Sequence, residues 1–150
     1  MVSFNLTTNQ RGPMGRFSVE LEVVNHQDVV AAHLGVLQLD QIRRARLTGV
    51  VDTGAARLVL PASVVTALGL PETGPITVRF ADGRRDQRMV VGDVQVEIQN
   101  RSRVFTAVVE PGRTDALIGA IVLEELDFVP DCTAQKLVPR DPQGMFAELD

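Results

Sequence analysis

Asp52 is the strongest candidate for a chemically active side chain in this sequence. It opens the tripeptide Asp52-Thr53-Gly54, directly after Val50 and Val51 and shortly before the apolar run 58–60. The valines are typical of the end of a buried strand, because β-branched side chains suit a packed, pleated surface. Gly54 permits a backbone geometry or a close approach that a side chain would forbid. We therefore expect the carboxyl group to be held at a tight turn between two apolar segments. A solvated surface carboxylate would not need such neighbours.

Two further motifs follow Asp52 along the chain, a turn-like segment and then an apolar segment. Phe80-Ala81-Asp82-Gly83-Arg84 has the composition of a hairpin turn, and the apolar segment 116–123 is interrupted by Gly119. Together with the Asp-Thr-Gly loop, these stretches resemble the active-site loop, the flap hairpin and the second signature of single-domain, retropepsin-like (retroviral-type) aspartic proteases, in a bacterial-style form. The resemblance covers roughly residues 47 to 138.

The resemblance implies a role for each residue of these motifs. Thr53 would lock two copies of the loop across a dimer axis, and Gly119 would let a strand pack against the loop. The hairpin tip would fold over substrate and exclude water, as mobile flaps do. The resemblance implies catalysis by Asp52, Thr53 and Gly54, and substrate binding by Ala55, Ala56, Ala81, Asp82, Gly83 and Ile118.

Peptide hydrolysis in that family uses two facing carboxyl groups that share one proton. The sequence contains a single Asp-Thr-Gly, at Asp52, and no Asp-Ser-Gly. If the resemblance holds, the second carboxyl group must come from another copy of the chain, so we expect a twofold homodimer. Activity is expected to be highest at acidic to mildly neutral pH, because the carboxyl pair must hold one proton.

Three positions depart from the retroviral pattern. Ala56 and Ala120 stand where an acidic residue and an arginine usually form an ion pair near the dimer interface, so the interface must be held in another way. Both partners are missing together, so no buried charge is stranded. Arg57 stands where an acidic residue often clamps the substrate backbone, and that role cannot be transferred to it. The flap also lacks the run of glycines found in viral flaps.

Four interpretations compete at this stage. The first is an aspartic endopeptidase acting on peptide or protein. The second is a binding or scaffold module that keeps the fold with weak or no turnover, and the third is a latent protease that needs N-terminal processing or a partner. The fourth is an unrelated β-barrel with a chance Asp-Thr-Gly. The first is favoured.

Composition limits the remaining possibilities. A chain of 150 residues, 45% hydrophobic and 23% charged, is the size of one domain. The net charge of -4 and the absence of Trp and Tyr argue against nucleic-acid binding. We expect no cofactor, no metal and no membrane contact, and a cytoplasmic location. Cys132, the single cysteine, is expected to be a partly buried packing residue.

The pattern of elements predicts an all-β barrel or sandwich with one or two short helices. Strands are expected at 17–23, 42–52, 76–80, 87–91, 94–98, 104–109 and 116–118, and the segments 128–129 and 136–138 are expected to finish the same sheet. Helical turns are expected at 61–69 and 120–126. Residues 25–28 are expected to form a turn, and 29–39 is left open between strand and loop. One domain spans residues 1–150, with an irregular segment at 1–16 and a tail at 139–150.

Overall fold

The computed structural model describes residues 16–149. The irregular N-terminal segment expected from the sequence lies, except for Arg16, outside the described residues. Within that range the chain forms β1 (Arg16–Asn25), α1 (His26–His33), a 3-10 turn (Leu39–Gln41), β2 (Arg44–Asp52), β3 (Leu58–Pro61), α2 (Ala62–Leu68), β4 (Glu72–Arg79), β5 (Arg85–Ile98), β6 (Arg101–Glu110), β7 (Ala116–Ile118), α3 (Ala120–Leu126), β8 (Phe128–Asp131) and β9 (Lys136–Pro139).

Six strands close into a barrel. Their order is β1-β2-β7-β3-β6-β5, and β5 pairs back onto β1 through Val94–Glu97 and Glu22–Asn25. β4 pairs only with the first half of β5 and projects from the barrel as a hairpin. Closure removes the free edges that an open sheet would expose. The predicted all-β, retropepsin-like fold is confirmed, and closure decides in favour of a barrel over a sandwich.

The barrel interior is filled by aliphatic side chains. β1 shows the alternation predicted from its sequence, with Phe17, Leu21 and Val23 buried. The fully buried set also includes Val51, Leu58, Leu60, Val91, Val94, Val96, Ile118, Val122 and Leu126. Each buried aliphatic side chain contributes about 1.5–3 kcal/mol through removal of its surface from water. This core fixes the ends of β2 and β7, which carry the segments of chemical interest.

The turn expected at residues 25–28 is wrong, because α1 begins there. Asn25 is the N-cap, and its Oδ1 accepts a hydrogen bond from the backbone N–H of Asp28 at 3.1 Å. An asparagine cap satisfies one of the unpaired amides at a helix start. The 29–39 region, left open between strand and loop, is the rest of α1 followed by turns.

Two other expectations also need correction. The segments 128–129 and 136–138 do not finish the barrel sheet; β8 and β9 form a separate two-stranded sheet. Cys132 is exposed in the turn between them rather than partly buried. The two strands expected at 87–91 and 94–98 are one strand, β5, with an irregularity at Gly92 and Asp93.

The helical turns at 61–69 and 120–126 are present as α2 and α3. Gly69 ends α2 with a φ of 60°, a left-handed conformation that favours glycine. Leu68 is buried, and Val64 and Val65 are partly buried against the core. None of the helices within residues 16–149 is both long enough and apolar enough to cross a membrane.

Candidate active site

The Asp-Thr-Gly loop lies across the end of β7. β2 and β3, the strands on either side of the loop, both pair with β7: Val51 lies opposite Ile118 in parallel register, and Val59 lies opposite Leu117 in antiparallel register. Residues 53–57 therefore bridge two strands that are separated by a third. This arrangement sets the position of Asp52 at the end of β2 through the barrel hydrogen bonds rather than through the loop alone.

The Asp52 carboxylate is oriented by two contacts. Its Oδ1 accepts a hydrogen bond from the backbone N–H of Gly54 at 3.0 Å, and its Oδ2 lies 3.0 Å from Nη2 of Arg16. The Ala55 N–H donates to the Asp52 carbonyl at 3.1 Å, which closes the turn. The side chain of Asp52 is 16% exposed, whereas Thr53 and Gly54 are exposed. The carboxylate is thus held in place yet open to solvent.

Gly119 lets α3 dock directly beneath the loop. The first two amides of α3, from Ala120 and Ile121, donate to the carbonyls of Ala55 and Ala56 at 2.8 and 2.9 Å. These bonds satisfy amides that a helix start leaves without intrahelical partners. A Cβ at Gly119 would lie 2.6 Å from the carbonyl carbon of Ala56 and from the carbonyl oxygen of Arg57. Because both are backbone atoms, this position accepts only glycine without moving the loop.

The hairpin predicted to be a flap is present between β4 and β5. At its tip the Phe80 N–H donates to the Arg84 carbonyl at 2.8 Å, and the Gly83 N–H donates to the Phe80 carbonyl at 2.9 Å. Gly83 has a φ of 89°, which a side chain would strain. The Asp82 carboxylate accepts from the backbone N–H and from Nε of Arg84 at 2.9 and 3.0 Å. These hydrogen bonds lower the pKa of Asp82 from its ordinary value of 3.8.

Phe80 is braced by two arginines. The guanidinium carbons of Arg84 and Arg88 lie 4.5 and 5.5 Å from the centre of its ring, within cation–π range. Arg88 is itself held by Glu110 at 2.8 Å and by Asp86 at 2.7 Å. The hydrogen bonds from these carboxylates, with Glu110 first, raise the pKa of Arg88, and the bond from Arg88 lowers the pKa of Asp86. The base of the hairpin is therefore tied to β6.

A cleft of about 710 Å³ lies between the loop and this hairpin. Its size is in the range of ligand-binding pockets. It is lined by Ala55, Ala56, Arg57, Val59, Ile76, Thr77, Val78, Arg79, Phe80, Val108, Glu110, Gly112, Arg113 and Leu117. The lining combines an aliphatic and aromatic floor with several charged side chains.

The structure brings together only part of the set of site residues expected from the sequence. Ala55 and Ala56 line the cleft beside the Asp52 loop. Ala81, Asp82 and Gly83 are exposed at the hairpin tip and are not among the residues that line it. The tip therefore reaches past the cleft in the single chain.

Ile118, which the resemblance places among the substrate-binding residues, has its side chain fully buried in the barrel of the single chain. Successive side chains of a strand point to opposite faces, so its neighbour Leu117 faces the cleft instead. Val78 also lines the cleft, whereas Leu58 and Val90 are buried.

Sequence reasoning missed Arg79, Glu110 and Arg113, which also line the cleft. Arg79 is separated from the Asp52 loop by more than twenty residues, and only the pairing of β4 with β5 brings its strand over the loop. Alternation along β4 places Thr77 and Arg79 on its exposed face, opposite Ile76 and Val78, so the sequence pattern gave no signal for Arg79. Within residues 16–149, no group of three or more His, Cys, Asp or Glu residues is placed to hold a metal ion.

A closed six-stranded barrel with an Asp-Thr-Gly loop under a hairpin defines the class of retropepsin-like aspartic proteases. Residues 37–122 match the family described as aspartyl protease. Because this match covers more than half of the chain, the protein belongs to that family. A search of curated proteins found no match to the chain.

Proposed function

We propose that the protein is an aspartic endopeptidase that hydrolyses peptide bonds as a homodimer, with water activated between the Asp52 carboxyl groups of two copies. The family membership supports a protease function in general. The observation that carries the finer proposal is the placement of Asp52. Its carboxylate is oriented by the Gly54 amide, remains partly exposed, and belongs to the loop that forms one wall of a cleft.

The chemistry requires two carboxyl groups at short distance. One, ionised, removes a proton from water, whose oxygen bonds to the scissile carbonyl carbon, while the other, protonated, donates its proton to the carbonyl oxygen. The first carboxyl group then gives its proton to the amide nitrogen and the second takes a proton from a hydroxyl of the diol. The C–N bond breaks, the amine and the acid leave, and the pair again holds one proton. The pair titrates as one unit, so the rate is expected to fall well above neutral pH.

The need for a second copy follows from the count of carboxylates. The sequence has a single Asp-Thr-Gly, and Thr53 and Gly54 are exposed beside Asp52, where the same loop of a partner can meet them. A twofold axis at this loop would set the two carboxyl groups face to face. The substrate of this proposal is a peptide or protein, and the expected location is the cytoplasm.

The first test compares the wild type with Asp52→Asn on a diverse peptide pool. Cleavage by the wild type and its loss in the variant, with an unchanged circular dichroism spectrum, supports the proposal. Loss of a general acid or base lowers the rate by about 10²–10⁴-fold. Equal cleavage by both proteins contradicts the role of Asp52.

A mixing experiment tests the dimer independently. If each active site needs two Asp52 residues, an excess of Asp52→Asn chains captures wild-type chains in inactive mixed dimers. At about a ninefold excess, the activity per wild-type chain should fall to roughly one tenth once subunits have exchanged. An activity that stays constant with added variant contradicts a shared site.

The Arg16 contact favours a second candidate, a latent form of the same enzyme. Arg16 pairs with the Asp52 carboxylate and directly follows the segment 1–15. If the chain is latent, removal of residues 1–16 should increase cleavage. A binding module without turnover remains the alternative if neither the full chain nor the shortened chain cleaves any peptide.

A further inference from the structure

We infer that the cleft selects peptides with acidic side chains next to an apolar residue at the scissile bond. The inference rests on the proposed function, because it names the substrate class of the same site. It follows from the charges on the cleft wall: Arg57, Arg79 and Arg113 all line it, and Glu110 is the one carboxylate among the lining residues.

Arg57 is the arginine of the cleft wall that lies on the Asp52 loop itself. Its Nε is buried without a hydrogen-bond partner among the described residues, and its Nη2 reaches only the hydroxyl of Thr106 at 3.5 Å. Pairs of arginine and carboxylate are frequently bidentate, because the planar guanidinium matches the two carboxylate oxygens. No described carboxylate pairs with Arg57, so within residues 16–149 its charge is not neutralised.

The other two arginines are also without carboxylate partners within residues 16–149. Arg79 is exposed on β4 and forms no ion pair there, and Arg113 donates from Nε only to the backbone carbonyl of Asp115 at 3.0 Å. The ion pairs described in this region hold other arginines: Arg84 to Asp82, and Arg88 to both Asp86 and Glu110.

Glu110 does not offset this positive charge. Both of its carboxylate oxygens accept from Arg88, at 2.8 and 3.1 Å. Because both oxygens of Glu110 already bind Arg88, its negative charge is largely neutralised, and it attracts a substrate cation only weakly. Among residues 16–149, the cleft wall therefore carries three arginines without a carboxylate partner, and its one carboxylate is paired.

The apolar residues of the cleft wall account for the expected preference for an apolar side chain at the scissile bond. Val59, Ile76, Val78, Phe80, Val108 and Leu117 form an apolar floor. An extended peptide places alternate side chains on opposite faces. An apolar residue can then enter the floor while a neighbouring carboxylate meets the arginines on the rim. In a twofold dimer, the two half-sites would repeat this pattern on both sides of the scissile bond.

The test uses peptides with one apolar scissile pair and with Glu, Gln or Lys at each flanking position. The wild-type homodimer should show the highest kcat/KM with Glu and the lowest with Lys, and added salt should reduce the difference. Each Arg→Gln change at positions 57, 79 and 113 should reduce the Glu preference by roughly two- to fivefold, the range measured for exposed ion pairs. A wild type that cleaves Glu, Gln and Lys peptides equally overturns the inference.

Two variants keep the test decisive if Arg57→Gln does not fold. Arg79→Glu changes an exposed residue and should shift the preference toward Lys peptides. Arg103→Gln is the matched control: Arg103 is exposed on β6, does not line the cleft, and among residues 16–149 donates a hydrogen bond only to the carbonyl of Ser102. Its peptide preference should equal that of the wild type. An equal loss of preference in Arg103→Gln and the cleft variants overturns the inference.

If the wild type cleaves no peptide, the proposed function fails and the inference can still be decided. Binding of the same fluorescent peptides to the Asp52→Asn protein is then measured by anisotropy. Tighter binding of Glu peptides that weakens in the Arg79→Glu background supports an acidic-peptide site. Equal binding of Glu and Lys peptides overturns it.

Discussion

Arg16 and Asp52 lie directly opposite each other on β1 and β2, and their side chains form an ion pair of 3.0 Å. The Arg16 guanidinium therefore binds the Asp52 carboxylate, on which the proposed chemistry depends. An aspartic protease needs this carboxylate to meet water and a second carboxyl group. In the proposed mechanism, the ion pair between Arg16 and Asp52 has to open before the reaction can begin.

The first prediction follows from this ion pair. Replacing Arg16 by Gln should raise kcat/KM, because the Asp52 carboxylate no longer has to be released from a guanidinium. Arg16 is 58% exposed, so the effect should be modest, roughly two- to fivefold. Arg44→Gln, which removes an exposed pair with Glu22, is the control and should leave kcat/KM unchanged. A lower kcat/KM in Arg16→Gln would show that Arg16 assists the reaction.

The second prediction concerns Gly119. A methyl group there would meet the backbone of Ala56 and Arg57, so Gly119→Ala should displace the loop that carries Asp52. A misplacement of about 1 Å can lower kcat by roughly 10²-fold. Steady-state kinetics and thermal unfolding should both be measured.

Gly49→Ala is the matched control for Gly119→Ala. Its methyl group would come within 2.8 Å of the ends of Ile118 and Leu21, which are side-chain atoms that can shift. We expect Gly49→Ala to lower stability by about 1–3 kcal/mol while retaining most of kcat. Equal losses of kcat in the two variants would contradict a specific role for Gly119.

The third prediction concerns pH and the flap. The pKa values of Asp82 and Asp86 are lowered from 3.8, by hydrogen bonds from Arg84 and Arg88 respectively. Because each pKa is lower in the folded than in the unfolded chain, each carboxylate stabilises the fold above the ordinary value. That contribution is lost as the pH falls through the lower folded value. The flap contacts should thus persist throughout the mildly acidic range in which the carboxyl pair is expected to work.

Carboxyl carbon shifts followed by NMR against pH provide the measurement. Both aspartates should titrate with midpoints below 3.8. Arg84→Gln should raise the midpoint of Asp82 more than that of Asp86. A midpoint for Asp82 at or above the ordinary value would refute the ion pair at the tip.

The fourth prediction concerns Asn25, which joins two helices to the barrel. Its side chain is fully buried, caps α1, and donates from Nδ2 to the carbonyl of Leu68 at 2.8 Å. Asn25→Ala should lower the free energy of unfolding by about 1–3 kcal/mol, because a cap is lost and a buried acceptor is left unpaired. Gln27→Ala, which removes an exposed bond to Asp93, should cost much less in a denaturant titration.

The sequence made the motifs and most strands predictable because these depend on local chemistry. Val50-Val51 before Asp52 requires a strand end, Gly69 requires a left-handed helix end, and Asp82-Gly83 requires a turn. The helix at 26–33 is not predictable from the sequence pattern, because its main signal, a capping asparagine, is equally typical of a turn. Asparagine is common in both settings, and only its bond to the Asp28 amide distinguishes them.

By itself, the sequence determined the position of the candidate catalytic carboxylate and an all-β chain with short helices, and it predicts that a second copy supplies the partner carboxyl group. These follow from residue types and their order. The tertiary structure decided that the sheet closes into a barrel, that Leu117 rather than Ile118 faces the cleft, and that three arginines lie along its wall. Strand register and the pairing of distant strands set these features, because a shift of one residue exchanges the two faces of a strand.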